Sequence, residues 1–381
     1  MQLALHQFLP NQGWEPPLDA AFDSPSTAVF VFAAPHVQRL ENALGDLRQN
    51  FPQAHILGCS TAGEIYGQRL NDDTVTIAIA RFENGRLAST CLTLGDNHDA
   101  RATGQALAQA LAAPDLRGLF VLADGLAVNG SELARGLAAA LPKGLPVSGG
   151  LAADGDRFAK TWVISGGQRI NNSVTALGLY GEAIGIACNY RGGWDVFGPE
   201  REVTHAEGNV LYTLDDQPAL ALYRKYLGER ADELPAAGLL FPLAIRNALE
   251  TDGLTVRTIL GIDEERQSIT FAGNIPQGAF VRMMRANRDR LIDGATEAAA
   301  GMTQTLDRAN TKLCIAISCI GRRLVLGQRC DEEIEAVIDT LPAPCQLVGY
   351  YSYGELSPLG SGRCDLHNQT MTLTVFWENR A

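Results

Sequence analysis

The sequence predicts an α/β fold of layered sheets with outer helices, built from pseudosymmetric repeats of a strand, helix, strand, turn, strand unit. Three observations predict it. A glycine-rich turn occurs twice, as Gly58-Cys-Ser-Thr-Ala-Gly-Glu64 and Gly349-Tyr-Tyr-Ser-Tyr-Gly-Glu355, with Gly58, Gly63 and Glu64 opposite Gly349, Gly354 and Glu355 at identical spacing. Both turns follow an apolar run and a helical segment and precede another apolar run, so whole units match and not one decapeptide. A weaker third copy lies between them.

In the first unit, Thr27–Ala33 is an unbroken apolar run, the pattern of a strand buried on both faces. A helix is expected over Val37–Gln49, a second strand and its turn over Ile56–Ile65, and a third strand over Thr74–Asn84. The last unit repeats the order as Lys312–Ser318, a helix over Asp331–Thr340, Leu347–Leu356, and Thr370–Asn379. The middle copy reads Gly118–Asp124, a helix over Ser131–Leu141, Pro146–Asp154, and strands at Thr161–Ser165 and Ser173–Tyr180. Asp154 is assigned the offset of Glu64 and Glu355. Between the middle and last units come an aromatic, turn-rich stretch, Arg191–Pro199, a strand at Glu202–His205 and a helix at Gln217–Leu227. Two more strands, Leu254–Leu260 and Ser268–Ala272, precede a polar helix expected at about Asn287–Leu306. The length of 381 residues suggests two or three domains, and a boundary near residue 230 gives halves 1–230 and 231–381.

Composition excludes several function classes. With 31 basic against 43 acidic side chains, a net charge of −12 argues against the basic footprint that nucleic acid requires. No run approaches the roughly 18 apolar residues needed to span a bilayer, and residues 1–10 lack the basic start and apolar stretch of a leader, so a soluble cytoplasmic chain is expected. The 8 cysteines include no CxxC, and several lie within apolar strand-like runs, so they are expected as buried thiols. The 6 histidines show no HxH or HxxxH spacing, so a histidine-rich metal cage is not indicated.

These motifs carry a family resemblance over nearly the whole chain. Gly58–Ile65, Gly149-Gly150 with Ala153-Asp154, and Val203-Thr204 with Gly208-Asn209 resemble the N-terminal FIST domain. Pro276–Gly278, Cys319–Arg322, Gly349–Pro358 and His367–Thr370 resemble its C-terminal partner. The resemblance implies an intracellular sensor of small ligands that acts with signalling enzymes, and not an enzyme itself. A freestanding chain of this size also resembles the haem-binding, nitric oxide sensing members of that family. That further resemblance implies haem b, NO acting on ferrous iron, and a partner histidine kinase or cyclic di-GMP enzyme; a homodimer is left open.

Several side chains are candidates for the chemistry. His367-Asn368-Gln369-Thr370 joins an imidazole, two carboxamides and a hydroxyl, a set suited to holding a ligand or, through the imidazole, iron. It also suits a turn whose side chains satisfy their own backbone. His205, at the end of a short strand, is the other candidate axial ligand. Arg322 is a candidate for a carboxylate, whether a haem propionate or an amino acid. Glu64, Asp154 and Glu355 would act as ligand-binding acids or as a general acid and base if pseudosymmetry brought two together; otherwise each accepts backbone N–H groups in its own turn. Tyr353, with Tyr350, Tyr351, Trp162, Trp194 and Phe197, would wall a flat apolar ligand or pack the core. The haem-free alternative is a sensor of an amino acid or similar small carboxylate. An alternative from another class is a hydrolase or transferase using Cys59 or paired carboxylates, although Gly58-Cys-Ser-Thr-Ala lacks the second glycine of GxSxG.

Overall fold

Each unit opens with a strand that the apolar pattern does not reveal: Gln2–Leu9, Arg86–Thr93 and Ile184–Arg191. The computed structural model describes residues 1–95, 97–234, 236–246, 254–306 and 308–379. After the opening strand comes the apolar one, Thr27–Ala33, Leu116–Ala123 or Lys312–Cys319. A helix (Leu40–Asn50, Gly130–Ala140 or Cys330–Thr340) then crosses to a parallel second strand, His55–Ser60, Val147–Leu151 or Cys345–Ser352. The third strand, Val75–Arg81, Ser173–Tyr180 or Met371–Glu378, runs antiparallel on the far side of the first. The expected α/β layers are therefore present, with the ends of these three helices within three residues of their predicted places, while the polar helix expected to reach Leu306 ends at Ala300.

The hairpin after each second strand leaves its own sheet. That of the first repeat, Glu64–Tyr66 with Arg69–Asn71, pairs with Cys345–Ser352 of the third. That of the second, Val163–Ser165 with Gln168–Ile170, pairs with His55–Ser60 of the first. That of the third, Glu355–Pro358 with Cys364–His367, pairs with Val147–Leu151 of the second. The exchange is cyclic, so the three sheets close on one another.

Period-2 alternation sends one set of strand side chains inward and the other out to the helices. Phe30, Phe120 and Phe376 meet inside at centroid separations of 5.4, 5.6 and 5.9 Å, and Phe32 stacks on Tyr350 at 4.8 Å. Burying each such ring contributes about 1.5–3 kcal/mol. Outside, Ala43, Leu44 and Leu47 cover the first sheet, while Leu133 and Leu137 and then Ile334 and Val337 join the larger core over the other two. All 8 cysteines are free thiols, five buried and three half-buried. No helix among the described residues is long and apolar enough to cross a membrane.

A fourth sheet, within 195–285, is inserted in the third repeat between Ile184–Arg191 and the helix Arg288–Ala300. Its core forms where Leu220, Tyr223 and Leu227 of the helix Ala219–Leu227 meet Val203, Leu211, Ile269 and Phe271. Residue 230, the expected boundary, falls in a short helical turn of this insert, whose strands lie on both sides of it.

The glycine of each turn motif has one physical reason. A Cβ at Gly58, Gly149 or Gly349 would stand 2.0, 1.8 or 1.8 Å from the carbonyl oxygen of Val31, Val121 or Ala316. Those three are also their register partners on the first strands, so the repeats superpose residue for residue here. Gly349→Ala is expected to cost about 3 kcal/mol or more, or to prevent folding. Gly45→Ala, in a helix with nothing closer than 3.8 Å, is expected to be neutral or stabilising by up to about 1 kcal/mol. Denaturant midpoints of the two variants check this; equal midpoints would contradict the close-approach account.

Candidate functional site

The hydrogen bonds Ala34 N–H to Thr74 O, Asp124 N–H to Ser173 O and Cys319 N–H to Thr370 O are 3.0, 2.9 and 3.1 Å long and mark three equivalent corners at the carboxyl ends of the first strands. This is the edge where open α/β sheets place ligands. A buried carboxylate occupies each corner. Glu64 accepts from the Thr61 hydroxyl and from Thr74 N–H and Oγ1 at 3.1 and 2.8 Å. Glu355 accepts from Ser352 Oγ at 2.5 Å and from Thr370 N–H and Oγ1 at 3.3 and 2.8 Å. Burial pushes both carboxyls up to about 8 against these hydrogen bonds. Each is spent within its own turn, which sets aside the acid and base pair.

Asp154 is not the third member. Opposite the second strands, Glu64 pairs with Tyr350, Glu355 with Gly150, and Val163 with Cys59. Val163 stands 14 positions after Gly149, against six for Glu64 and Glu355 after their glycines, so a longer loop displaces the acidic residue. Asp154 instead fastens that loop. It accepts Ala159 N–H at 2.9 Å and Lys160 N–H at 2.8 Å on one oxygen and the Tyr353 hydroxyl on the other. Burial raises its carboxyl, but Tyr353 and the two N–H groups outweigh that and hold it below the usual range. The carboxylate of the second corner is Asp124, which sequence reading missed. It accepts Leu126 N–H at 3.2 Å, Asn172 N–H at 2.8 Å and the Thr161 hydroxyl. The available signal was an aspartate closing an apolar strand, Phe120-Val-Leu-Ala-Asp124.

Arg322 takes no ligand. Wholly buried, it forms a 2.7 Å ion pair with Glu333 and donates to the carbonyls of Gly192 and Leu291. Glu333 also accepts from Ser318 and Tyr351 at 3.0 and 2.6 Å. Removing either partner strands the other charge, at about 3–5 kcal/mol. Cys59 is no exposed nucleophile either: it is buried, its thiol pushed up by that burial, and Ser60 Oγ accepts from Trp162 N–H at 3.2 Å. Tyr350, Tyr351, Trp162 and Trp194 are buried core rings.

The structure does bring His367, Asn368, Gln369 and Thr370 beside Glu355 and Tyr353. His367 is the register partner of Glu355, and Asn368 Nδ2 lies 3.5 Å from Tyr353 O. Asn368 Oδ1 and both amide atoms of Gln369 are buried without a hydrogen-bond partner among the described residues. The residues do not fit haem. His367 is 1% exposed, with Nε2 3.2 Å from Ser357 O and its ring centroid 3.8 Å from that of Tyr190. His205 stands exposed on the insert, stacked on Tyr212 at 4.7 Å. Among the described residues, each imidazole is packed against a tyrosine ring, His367 against Tyr190 and His205 against Tyr212. No group of three His, Cys, Asp or Glu side chains among those residues is placed to hold a metal ion.

The second corner meets a groove. Its long loop leaves an opening of about 490 Å³ lined by Asp124, Thr161, Lys160, Asn171 and His98. Lys160 and Asn171 also line a neighbouring opening of about 530 Å³ with Arg48, Arg169, Glu41 and Trp162. Glu41 is paired with Arg169 at 2.6 Å, and Arg48 donates to Gly167 O at 2.6 Å. The Lys160 ammonium has no hydrogen bond or ion pair among the described residues. The groove can therefore accept an anion at the exposed Lys160 ammonium, with two guanidiniums on the rim of the neighbouring opening.

The chain belongs to the FIST family: residues 27–217 match the FIST N domain and residues 219–358 the FIST C domain. FIST domains are small-molecule sensing signal-transduction domains. An uncharacterized protein of Methanocaldococcus jannaschii is 23% identical over 294 residues, 70% of this chain and 55% of its own length. The chain thus spans about half the length of that curated relative. Cyanuric acid hydrolase from A. caulinodans covers 99% of both chains at a TM-score of 0.38 and 8% identity, a likeness too slight to carry fold or chemistry.

The buried acids and His367 set opposite pH responses. Glu64 and Glu355 ionise near 8 when folded and near 4.5 when unfolded, so their contribution is full below about 4.5 and is lost as pH rises toward 8. His367, lowered by burial from 6.5 to about 4, contributes stability above 6.5 that is lost as pH falls toward 4. Between pH 6.5 and 8 the acids act alone. Denaturant midpoints of the native chain are expected to fall over that window, and those of Glu64→Gln/Glu355→Gln to fall less steeply; parallel profiles would contradict the raised carboxyls.

Proposed function

We propose that this protein is a haem-free sensor of an amino acid or similar small carboxylate, bound in the groove of the second corner. The observation that carries the reading is the breaking of pseudosymmetry. Two corners are sealed around their glutamates, whereas the third is held open by a longer loop that presents Lys160 toward Asn171, Arg48 and Arg169. On a chain of net charge −12, that concentration of cations focuses anions. The carboxylate of the ligand pairs with Lys160 and the Asn171 amide, with Arg169 and Arg48 behind them. The buried Trp162 ring backs the Arg169 guanidinium, 5.7 Å from its centroid.

Occupancy has a bonded route to the rest of the molecule. Lys160 N–H binds Asp154, Asp154 binds the Tyr353 hydroxyl, and Phe158 of the same loop stacks on Tyr353 at 4.6 Å. Tyr353 O meets Asn368, and the adjacent Gln369 carbonyl accepts Trp194 Nε1–H at 2.9 Å, where the inserted sheet begins. A ligand that holds the loop more tightly in one arrangement biases this chain of contacts. The FIST resemblance supports a histidine kinase or cyclic di-GMP enzyme as receiver.

Calorimetric titration with a panel of amino acids and small di- and tricarboxylates tests the reading. At least one ligand is expected to saturate, with affinity reduced about tenfold or more in Lys160→Ala and less in Arg169→Ala. Binding indifferent to Lys160 would refute the site. The haem-based nitric oxide reading is separated by expression with a haem precursor. A colourless protein is expected, whereas a stoichiometric Soret band lost in His367→Ala or His205→Ala would reinstate haem.

A further inference from the structure

We propose that the ligand of the second-corner groove is a 2-oxo or 2-hydroxy monocarboxylate with a short aliphatic tail, and not the corresponding amino acid; this choice deepens the carboxylate reading of that groove and rests on it. The hydrogen bonds already made in the groove decide between the two. Asp124, the carboxylate among the lining residues, is 3% exposed and engaged at both oxygens. Its Oδ1 accepts Leu126 N–H at 3.2 Å, Ala127 N–H at 3.4 Å and the Thr161 hydroxyl, and its Oδ2 accepts Asn172 N–H at 2.8 Å. Thr161 is engaged as well, because its Oγ1 also accepts Leu126 N–H at 3.1 Å. An α-ammonium entering here would shed water without meeting a free anion, which is unfavourable.

The lining groups that remain free are the Lys160 ammonium, the Asn171 and Asn172 carboxamides and the His98 imidazole, whose side chains make no hydrogen bond or ion pair among the described residues. Lys160 draws the carboxylate. A carboxamide is donor and acceptor at once, so Asn171 and Asn172 suit a neutral oxo or hydroxyl oxygen next to that carboxylate. The rest of the wall is apolar, formed by Leu126, Ala127 and Ala159. Leu126 is 44% exposed, and its backbone is held in place because its N–H is shared between Asp124 and Thr161. A short aliphatic tail laid on Leu126 removes apolar surface of both partners from water. A second carboxylate in the position of that tail would lose hydration against an apolar wall.

Calorimetric titration of the full chain with 4-methyl-2-oxopentanoate, leucine and 2-oxoglutarate tests this. The aliphatic oxo acid is expected to saturate, leucine and 2-oxoglutarate to bind about tenfold or more weakly, and Lys160→Ala to weaken all of them. Leu126→Ser is expected to weaken the aliphatic oxo acid about threefold or more and to leave 2-oxoglutarate within about twofold of its native affinity. Thermal unfolding of both surface variants verifies that they fold. Leucine or 2-oxoglutarate binding as tightly as the aliphatic oxo acid and still depending on Lys160 would overturn the ligand class while leaving the carboxylate groove in place. No saturation by millimolar 4-methyl-2-oxopentanoate, or an unchanged affinity for it in Leu126→Ser, would likewise overturn the ligand class. Binding of every probe indifferent to Lys160→Ala would overturn the groove itself.

Discussion

The hairpin exchange is the constraint on which the rest depends. No repeat completes its own sheet: residues 64–71 are held by 345–352, and residues 355–367 by 147–151. Hydrogen-bond satisfaction therefore forces the three sheets to form together, since an unexchanged hairpin would leave a buried strand edge without partners. The closed arrangement also explains the interior. Strands such as Thr27–Ala33 lie between the inner rings and an outer helix, so both faces must be apolar.

That same demand made the inner strands legible. An unbroken apolar run has few alternatives, and the glycine of each turn reports an approach that no side chain tolerates. The opening strands were not legible, because each is only half covered: Arg86–Thr93 and Ile184–Arg191 mix exposed, intermediate and buried positions without clean alternation. Exchange of the hairpins could not be read either, since the same turn sequence closes onto its own sheet or onto another. Asp154 shows the limit of spacing arguments. An eight-residue lengthening of the loop moved Val163 into the strand position and left the aspartate to fasten the loop.

Chemical identity proved a poor guide to exposure. Arg322, His367 and Cys59 belong to residue types that carry chemistry, yet their surroundings use them for burial, packing and cross-linking. Lys160 and Asn171, undistinguished in sequence, gain significance only from the corner on which the fold sets them. Departure from internal symmetry is thus more informative than any one residue type.

The connection from opening strand to first strand is topologically the same in all three repeats and carries three different loads. In the first it is the short strand Gly13–Glu15 and a helical turn at Ala20–Phe22, in the second the helix Ala100–Leu111, and in the third an entire extra sheet plus a helix. The closed body tolerates this because both ends of the connection are anchored: in the third repeat one guanidinium, Arg322, holds Gly192 before the extra sheet and Leu291 after it. The body therefore behaves as a chassis with three interchangeable ports. Diversification among relatives can proceed by exchanging what is plugged into a port, while the ring of hairpins stays untouched.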